Sequence, residues 1–144
     1  VKYAPLGRRG MFSKARYLRY GDIRIATGMQ KANDEVCLII QIEDQEGLAN
    51  IDEIMSVKGV DMIATGRGDL SQALGFPGQT LHPKVIEAEN HIINKTLKYG
   101  KIPIILVEKH EKVNDLKRIG VLCFTIGSDS VLLYNSMKNH INRF

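Results

Sequence analysis

Two carboxylate residues follow neighbouring apolar runs of the chain, at positions where they could share one cation. Glu43 closes the stretch QIE at residues 41–43, and Asp69 lies in the stretch GRGDLS at residues 66–71. No cysteine or histidine accompanies them, and such an oxygen-rich pair suits Mg²⁺ or Mn²⁺, with water or substrate oxygens completing the shell. The structural alternative is that Glu43 caps the helix after it and Asp69 caps the short helical turn beside it.

Gly66 and Gly68 bracket Arg67 just before the second carboxylate. Glycine lets a backbone turn tightly, and N–H groups left free at such a turn can hold a small anion. The same stretch contains the tripeptide Arg67-Gly68-Asp69, which is an adhesion signal in some secreted proteins. Because it follows a buried-looking strand and no secretion signal is present, we expect Asp69 to be used inside the protein.

The other reactive residue types are interpreted as structural. Cys37 and Cys123 each lie within an apolar run, which predicts small core residues and no disulfide framework. The histidines do not accompany a serine or cysteine at a strand end, so we expect surface or structural roles for His82, His91, His110 and His140. The sequence contains no P-loop and no GxGxxG motif.

Four short apolar runs, each followed by a helical pattern, predict the strands that position these residues. Unbroken β-branched runs are typical of strands buried on both faces of a parallel sheet, and they cover residues 36–42, 60–64, 102–107 and 121–126. Amphipathic patterns predict helices at residues 46–57 and 83–99. Chemistry on such an α/β scaffold collects at the carboxyl ends of the strands, and alternation places Gln41 and Glu43 on one side there.

The number of predicted strands bears on domain organisation. After a loop at residues 1–12, residues 13–33 are predicted to form one or two helices, from a cap at Ser13 to a turn at Asn33-Asp34. Four strand-helix units are half of an eight-stranded barrel, so the chain is either a small open α/β domain or the C-terminal half of a larger barrel. We expect residues 1–144 to form a single domain.

Composition and charge favour a globular protein of the cytoplasm. The 144 residues include no apolar run near the ~18 that a membrane span needs, and the basic N-terminus lacks the apolar core of a signal peptide. Six basic side chains fall within residues 8–24, but no stacking-aromatic pattern accompanies them, which favours a solvated helix face or a subunit contact. We therefore expect neither nucleic acid nor membrane as a partner.

Five stretches of the sequence resemble, in this order, the HpcH/HpaI family of metal-dependent class II pyruvate aldolases. They are PLGRRG (5–10), ANDEVCLIIQIEDQEGLANIDEIMSVKGVD (32–61), TGRGDLSQALGFPG (65–78), HPKV (82–85) and FTIGSDSVLL (124–133). The paired motifs QxE and GxxDLS are fairly specific for that family, and the resemblance covers nearly the whole chain.

The resemblance implies a (β/α)8 TIM barrel of about 250 residues, of which this chain would supply about the last four strand-helix units. It implies that Glu43 and Asp69 bind a divalent cation, Mg²⁺ or Mn²⁺, with Co²⁺ as an alternative. Gln41 would be a catalytic and substrate-binding residue beside a small keto acid, whose carboxylate the N–H groups of Gly68 and Asp69 would hold. A homo-oligomer is also expected.

The implied activity is that of a carbon–carbon lyase. A metal-dependent aldolase would cleave a 4-hydroxy-2-oxo acid to pyruvate and an aldehyde through a metal-stabilised enolate. The alternatives are an acyl-CoA lyase of the citrate-lyase or malyl-CoA type and a non-catalytic barrel fragment used for oligomerisation or ligand binding. Arg67 stands where the family commonly has proline. The family's base-supporting histidine and substrate-binding arginine come from an N-terminal half that this chain lacks, so we expect its catalytic set to be incomplete.

Overall fold

The chain is described by a computed structural model that covers residues 1–107 and 111–143. It folds as two compact units, Val1–Leu38 and Ile39–Phe144. The expectation of a single domain stays a prediction, and each unit is described by itself. His110, one of the four histidines considered above, lies outside the described residues.

The first unit contains an N-terminal loop, a short 3-10 helix at Arg16–Gly21 and helix α1 at Ile25–Glu35. The Tyr3 backbone N–H donates to Asn33 Oδ1 at 2.6 Å, and Asn33 Nδ2 donates to the Tyr3 carbonyl at 3.2 Å, which joins the loop to the helix. The expected cap at Ser13 is wrong because the helix starts later. The expected turn at Asn33 is also wrong, because this buried side chain bonds to the loop while the helix continues past it.

The second unit is built on a four-stranded parallel sheet, counted over the described residues, with helices between its strands. The strands lie in chain order, so each one pairs with the next along the sequence. The elements are β1 Ile39–Ile42, α2 Gln45–Ala49, α3 Ile51–Ser56, β2 Met62–Thr65, α4 Arg67–Ala73, α5 Pro83–Lys98, β3 Ile102–Val107, α6 Glu111–Arg118, β4 Cys123–Ile126 and α7 Asp129–Ile141. The predicted α/β class is confirmed.

The core of this unit forms where helices cover the sheet. Ile93 of α5 packs with Ile105 and Val107 of β3 and with Val121, all of them buried. One face of α5 is buried along its length, and its members are Val85, Glu89, Ile92, Ile93 and Thr96. A glutamate therefore occupies a core position of an amphipathic helix. None of the helices in the described ranges has the length and apolar character needed to cross a bilayer.

Cys37 occupies surroundings that differ from its sequence-based interpretation, and the exposed Arg9 side chain contacts two aromatic rings. The Arg9 guanidinium lies over the rings of Tyr3 and Tyr17, 4.8 Å and 5.8 Å from their centroids, and so makes cation–π contacts within the first unit. Cys37 is exposed, contrary to the prediction of a core residue, because β1 begins only at Ile39 and Cys37 precedes it.

Candidate active site

A cavity of about 730 Å³ lies at the carboxyl ends of the strands of the second unit. Each strand contributes to its wall, with side chains that include Gln41, Thr65, Val107 and Thr125. The first turn of α4 adds Gly68 and Asp69. Three of the predicted site residues, Gln41, Gly68 and Asp69, therefore line one cavity.

Glu43, the fourth predicted site residue, is joined to this cavity by Gln41. The side-chain amide of Gln41 donates a hydrogen bond of 2.6 Å to Glu43 Oε2. The two side chains thus project to the same side at the end of β1, as strand alternation predicts. Among the described residues Glu43 is not itself part of the cavity wall. A hydrogen bond of this kind holds a carboxylate in a fixed direction, as commonly found for metal ligands.

Gly66 lies against both of these side chains. A Cβ atom at this position would be 2.6 Å from Gln41 Nε2 and 2.7 Å from Glu43 Oε2, closer than such atoms can approach. The φ angle of Gly66 is −112°, which any residue can adopt. Glycine here leaves room for the ends of these two side chains, which an added Cβ would displace, and the tight turn that the sequence predicts does not account for it. An added Cβ at Gly68 would meet nothing within 4 Å.

The first turn of α4 leaves backbone donors available beside Asp69. Leu70 N–H donates to the Gly66 carbonyl at 2.8 Å and makes the first backbone hydrogen bond of the helix. The N–H groups of Arg67, Gly68 and Asp69 have no acceptor among the described residues, as is usual at a helix N-terminus. Donors in this position attract an anion.

The capping alternative for the two carboxylates is wrong. Asp44, and not Glu43, caps α2, because its Oδ1 accepts a hydrogen bond of 2.7 Å from Gly47 N–H. Helix α4 starts after Gly66 without a side-chain cap, and Asp69 lies inside its first turn. Neither carboxylate therefore caps the N-terminus of a helix.

An ion pair between the partly buried Arg67 and the buried Glu89 lies on the cavity wall and was not predicted from the sequence. The Arg67 guanidinium pairs with Glu89 Oε2, and the Thr65 hydroxyl donates to Glu89 Oε1 at 3.0 Å. Glu89 lies four residues after Val85 and three before Ile92, and a charged residue at such an apolar position of a helix is the signal that identifies it. Arg67 turns inward to this pair, which supports the exclusion of an adhesion role.

The side chains of Ser71 and His82 make contacts that stabilise α4 and the loop that follows it. The buried Ser71 hydroxyl donates to the Gly68 carbonyl at 2.6 Å and accepts from Gly78 N–H at 3.2 Å. His82 caps α5, since its Nδ1 accepts from Lys84 N–H at 3.3 Å, and its ring stacks on Phe76 with centroids 3.6 Å apart. The structural interpretation of His82 is therefore confirmed.

Comparison with known proteins adds to this geometry. A family model described as HpcH/HpaI aldolase/citrate lyase matches residues 7–136. A 4-hydroxy-2-oxo-heptane-1,7-dioate aldolase of Escherichia coli is 35% identical over 100% of this chain, which covers 55% of that protein. The chain thus spans about half the length of the curated relatives it matches, and the resemblance carried by the QxE and GxxDLS motifs is confirmed.

Solved structures agree with the family match. The structure of citrate synthase SbnG superposes with a TM-score of 0.83 at 31% identity, over 99% of this chain and 54% of that one. An HpcH/HpaI aldolase/citrate lyase family protein from Burkholderia cenocepacia J2315 gives a TM-score of 0.84 at 25% identity, over 97% and 54% of the two chains. The predicted TIM-barrel type of fold is confirmed, with about half of a neighbour's chain represented here.

Proposed function

This chain belongs to the HpcH/HpaI aldolase/citrate lyase family, whose relatives are carbon–carbon lyases, and from that membership we propose that it carries the metal- and keto-acid-binding half of a lyase site. The proposed reaction is the cleavage of a 4-hydroxy-2-oxo acid to pyruvate and an aldehyde. The observation that best supports it is the single cavity lined by Gln41, Gly68 and Asp69, with Glu43 bonded to Gln41.

The side chains present fit a hard divalent cation. Glu43 and Asp69 offer only oxygen ligands, which suit Mg²⁺ or Mn²⁺, with Co²⁺ as an alternative metal. Over the described residues, no group of three or more His, Cys, Asp or Glu side chains could hold a metal ion. Two carboxylates are a usual protein contribution to a Mg²⁺ site, in which water and substrate oxygens complete the shell.

The bound cation would supply Lewis-acid stabilisation of the negative charge that develops on a 2-oxo acid. In the proposed site Gln41 orients the Glu43 carboxylate through its amide hydrogen bond. The N–H groups of Gly68 and Asp69, which lack acceptors among the described residues, would donate to the carboxylate of the keto acid. Such prepositioned donors favour one orientation of the substrate.

A second candidate is a reaction on a citrate-type substrate. It is favoured by the similarity to citrate synthase SbnG, which matches nearly the whole chain. The related cleavage reactions are those catalysed by acyl-CoA lyases of the citrate-lyase and malyl-CoA type. A non-catalytic module that only binds the metal and a ligand is the remaining alternative.

An activity assay separates these candidates. The purified protein is incubated with Mn²⁺ and a 4-hydroxy-2-oxo acid, and pyruvate is detected by coupled oxidation of NADH. We expect pyruvate release that chelation by EDTA abolishes and that Asp69→Asn removes, while Asp129→Asn, at the start of α7, leaves it unchanged. Turnover of malyl-CoA or citryl-CoA alone would favour the second candidate. Mn²⁺ binding without turnover of any substrate, even by a protein that includes residues homologous to the N-terminal half of the relatives, would favour the non-catalytic one.

A further inference from the structure

The chain of contacts from Thr65 through Glu89 to Arg67 connects α5 to the first turn of α4. Glu89 is only 3% exposed, and each of its oxygens has a partner: the Thr65 hydroxyl for Oε1 and the Arg67 guanidinium for Oε2. All three side chains line the cavity that holds Asp69. The carboxylate is therefore buried with its charge compensated and both oxygens bonded.

Stability alone does not account for this arrangement. A buried ion pair is often no more stabilising than apolar side chains of the same size, because desolvation of the two charges offsets their attraction. Glu89 lies between Val85 and Ile92 on the buried face of α5, a face on which apolar residues predominate. A role in the site explains better why a charged pair lies there.

The position of Arg67 indicates that role. It is the first residue of α4, with Gly66 before it and Gly68 after it, and glycines on both sides allow the backbone many conformations. Two features of the proposed site follow within two residues of Arg67. They are the N–H groups of Gly68 and Asp69, proposed to hold the substrate carboxylate, and the side chain of Asp69. A side chain anchored in the core at Arg67 would restrict the direction of this whole turn.

We propose that Glu89, acting through Arg67, is a positioning residue that holds the first turn of α4 with Asp69 and the N–H groups of Gly68 and Asp69 directed at the cavity. This inference rests on the metal and carboxylate site of the proposed function. It also makes Glu89 the partner of the Arg67 guanidinium, so that Arg67 serves as an anchor of the turn.

Three variants test the inference by Mn²⁺ affinity, measured by calorimetric titration, together with the midpoint of unfolding by urea. Glu89→Gln removes the charge that anchors Arg67, and we expect Mn²⁺ affinity to fall by about 10- to 100-fold, the usual effect of losing a residue that orients a metal ligand. Arg67→Lys keeps a cation facing Glu89 and should retain most of the affinity. The triple change T65V/R67M/E89L replaces the network with apolar side chains and should restore the unfolding midpoint but not the affinity.

A metal-free measurement accompanies these titrations. Amide hydrogen exchange over residues 66–74 should quicken in Glu89→Gln and in the triple variant, but not in Arg67→Lys. If Mn²⁺ affinity recovers with stability in the triple variant, the pair is only structural and the inference is wrong. If the triple variant does not fold, the two single variants decide. An unchanged Mn²⁺ affinity in Glu89→Gln overturns the inference. A loss of Mn²⁺ affinity in Glu89→Gln that Arg67→Lys does not show supports it.

The Asp69→Asn variant separates this inference from the proposed function. If Asp69→Asn binds Mn²⁺ as the native chain does, the proposed metal site is wrong. If Asp69→Asn loses Mn²⁺ while Glu89→Gln and the triple variant bind it normally, the metal site stands and only the positioning role is overturned.

Discussion

The side-chain amide of Gln41 donates a 2.6 Å hydrogen bond to the carboxylate of Glu43. The pair lies directly against Gly66, the residue that precedes α4. The end of β1 and the start of α4 are therefore in contact through a glycine that has no side chain to separate them. Asp69 lies three residues further on, within the first turn of α4.

Gly66→Ala should damage the site while leaving the fold nearly intact. The added methyl group would lie within 2.7 Å of Gln41 Nε2 and Glu43 Oε2 and must displace these two side-chain ends. We expect Mn²⁺ affinity to fall by about 10- to 100-fold, with a change in unfolding free energy of about 1 kcal/mol or less. Calorimetric titration and urea unfolding measure the two effects. Gly10→Ala, where an added Cβ meets nothing within 4 Å, is the matched control, and unchanged affinity in Gly66→Ala would contradict the close approach.

The contact between α3 and α5 should depend on pH through Asp52. Hydrogen bonds from Lys95, at 2.7 Å, and from Tyr99, at 3.0 Å, hold the pKa of Asp52 below its ordinary value of 3.8. Because the folded-state pKa is lowered, the stabilisation is present above pH 3.8 and is lost as the pH falls through the native pKa. Lys95→Gln should move the pKa, followed by NMR, back towards 3.8, and Lys98→Gln should move it less. Equal shifts in the two variants would contradict the assigned cause.

We expect the exposed apolar side chains of helix α7 to be covered in solution by another copy of this chain. The large apolar side chains of α7 are each more than half exposed, and they are Val131, Leu132, Leu133, Tyr134, Met137 and Ile141. An apolar surface of this kind usually marks an interaction site. We expect light scattering to give a mass above that of one chain, and Leu133→Glu to lower it, whereas Lys117→Glu on α6 should not. A uniform species with the mass of one chain would contradict this expectation and the proposed homo-oligomer.

The strands and the class of fold were predictable because unbroken β-branched runs are buried on both faces of a parallel sheet. The first and last residues of each strand were less predictable, since the apolar run at residues 36–42 forms a strand only over Ile39–Ile42. The helix predicted at residues 46–57 is two helices that meet at Asn50. The Asn50 side chain donates to the Glu46 carbonyl at 3.0 Å, and such local bonds compete with continuation of a helix.

For the site, periodicity predicted that Gln41 and Glu43 share a side, and the hydrogen bond between them confirms it. The reason for glycine at Gly66 was not predictable, because it depends on side chains that reach it from another strand. Glu89 was missed because its partners, Thr65 and Arg67, are more than twenty residues away in sequence. Contacts of that separation follow from the packing of α5 against β2 and α4 and not from any local pattern.

Residues homologous to the N-terminal half of the relatives should be needed for fast turnover. In the family a base-supporting histidine and a substrate-binding arginine are expected from that half, and general acid–base assistance is typically worth about 10² to 10⁴ in rate. Within the described chain His82 is engaged in capping α5 and does not offer a substitute. Pyruvate release from a 4-hydroxy-2-oxo acid should therefore be slower by about that factor for these 144 residues than for a protein that includes such a half. Comparable turnover of the two would show that the additional residues are dispensable.

Glu43 and Asp69 are proposed to share one divalent cation, and anomalous diffraction from crystals soaked in Mn²⁺ tests this most directly. We predict one Mn²⁺ peak at the cavity, with a carboxylate oxygen of each residue about 2.0 to 2.6 Å from the ion. The peak should be absent from crystals of Asp69→Asn and present in those of Asp129→Asn. A Mn²⁺ ion bound by only one of the two carboxylates, or carboxylates that face opposite sides of the sheet, would contradict the proposed site.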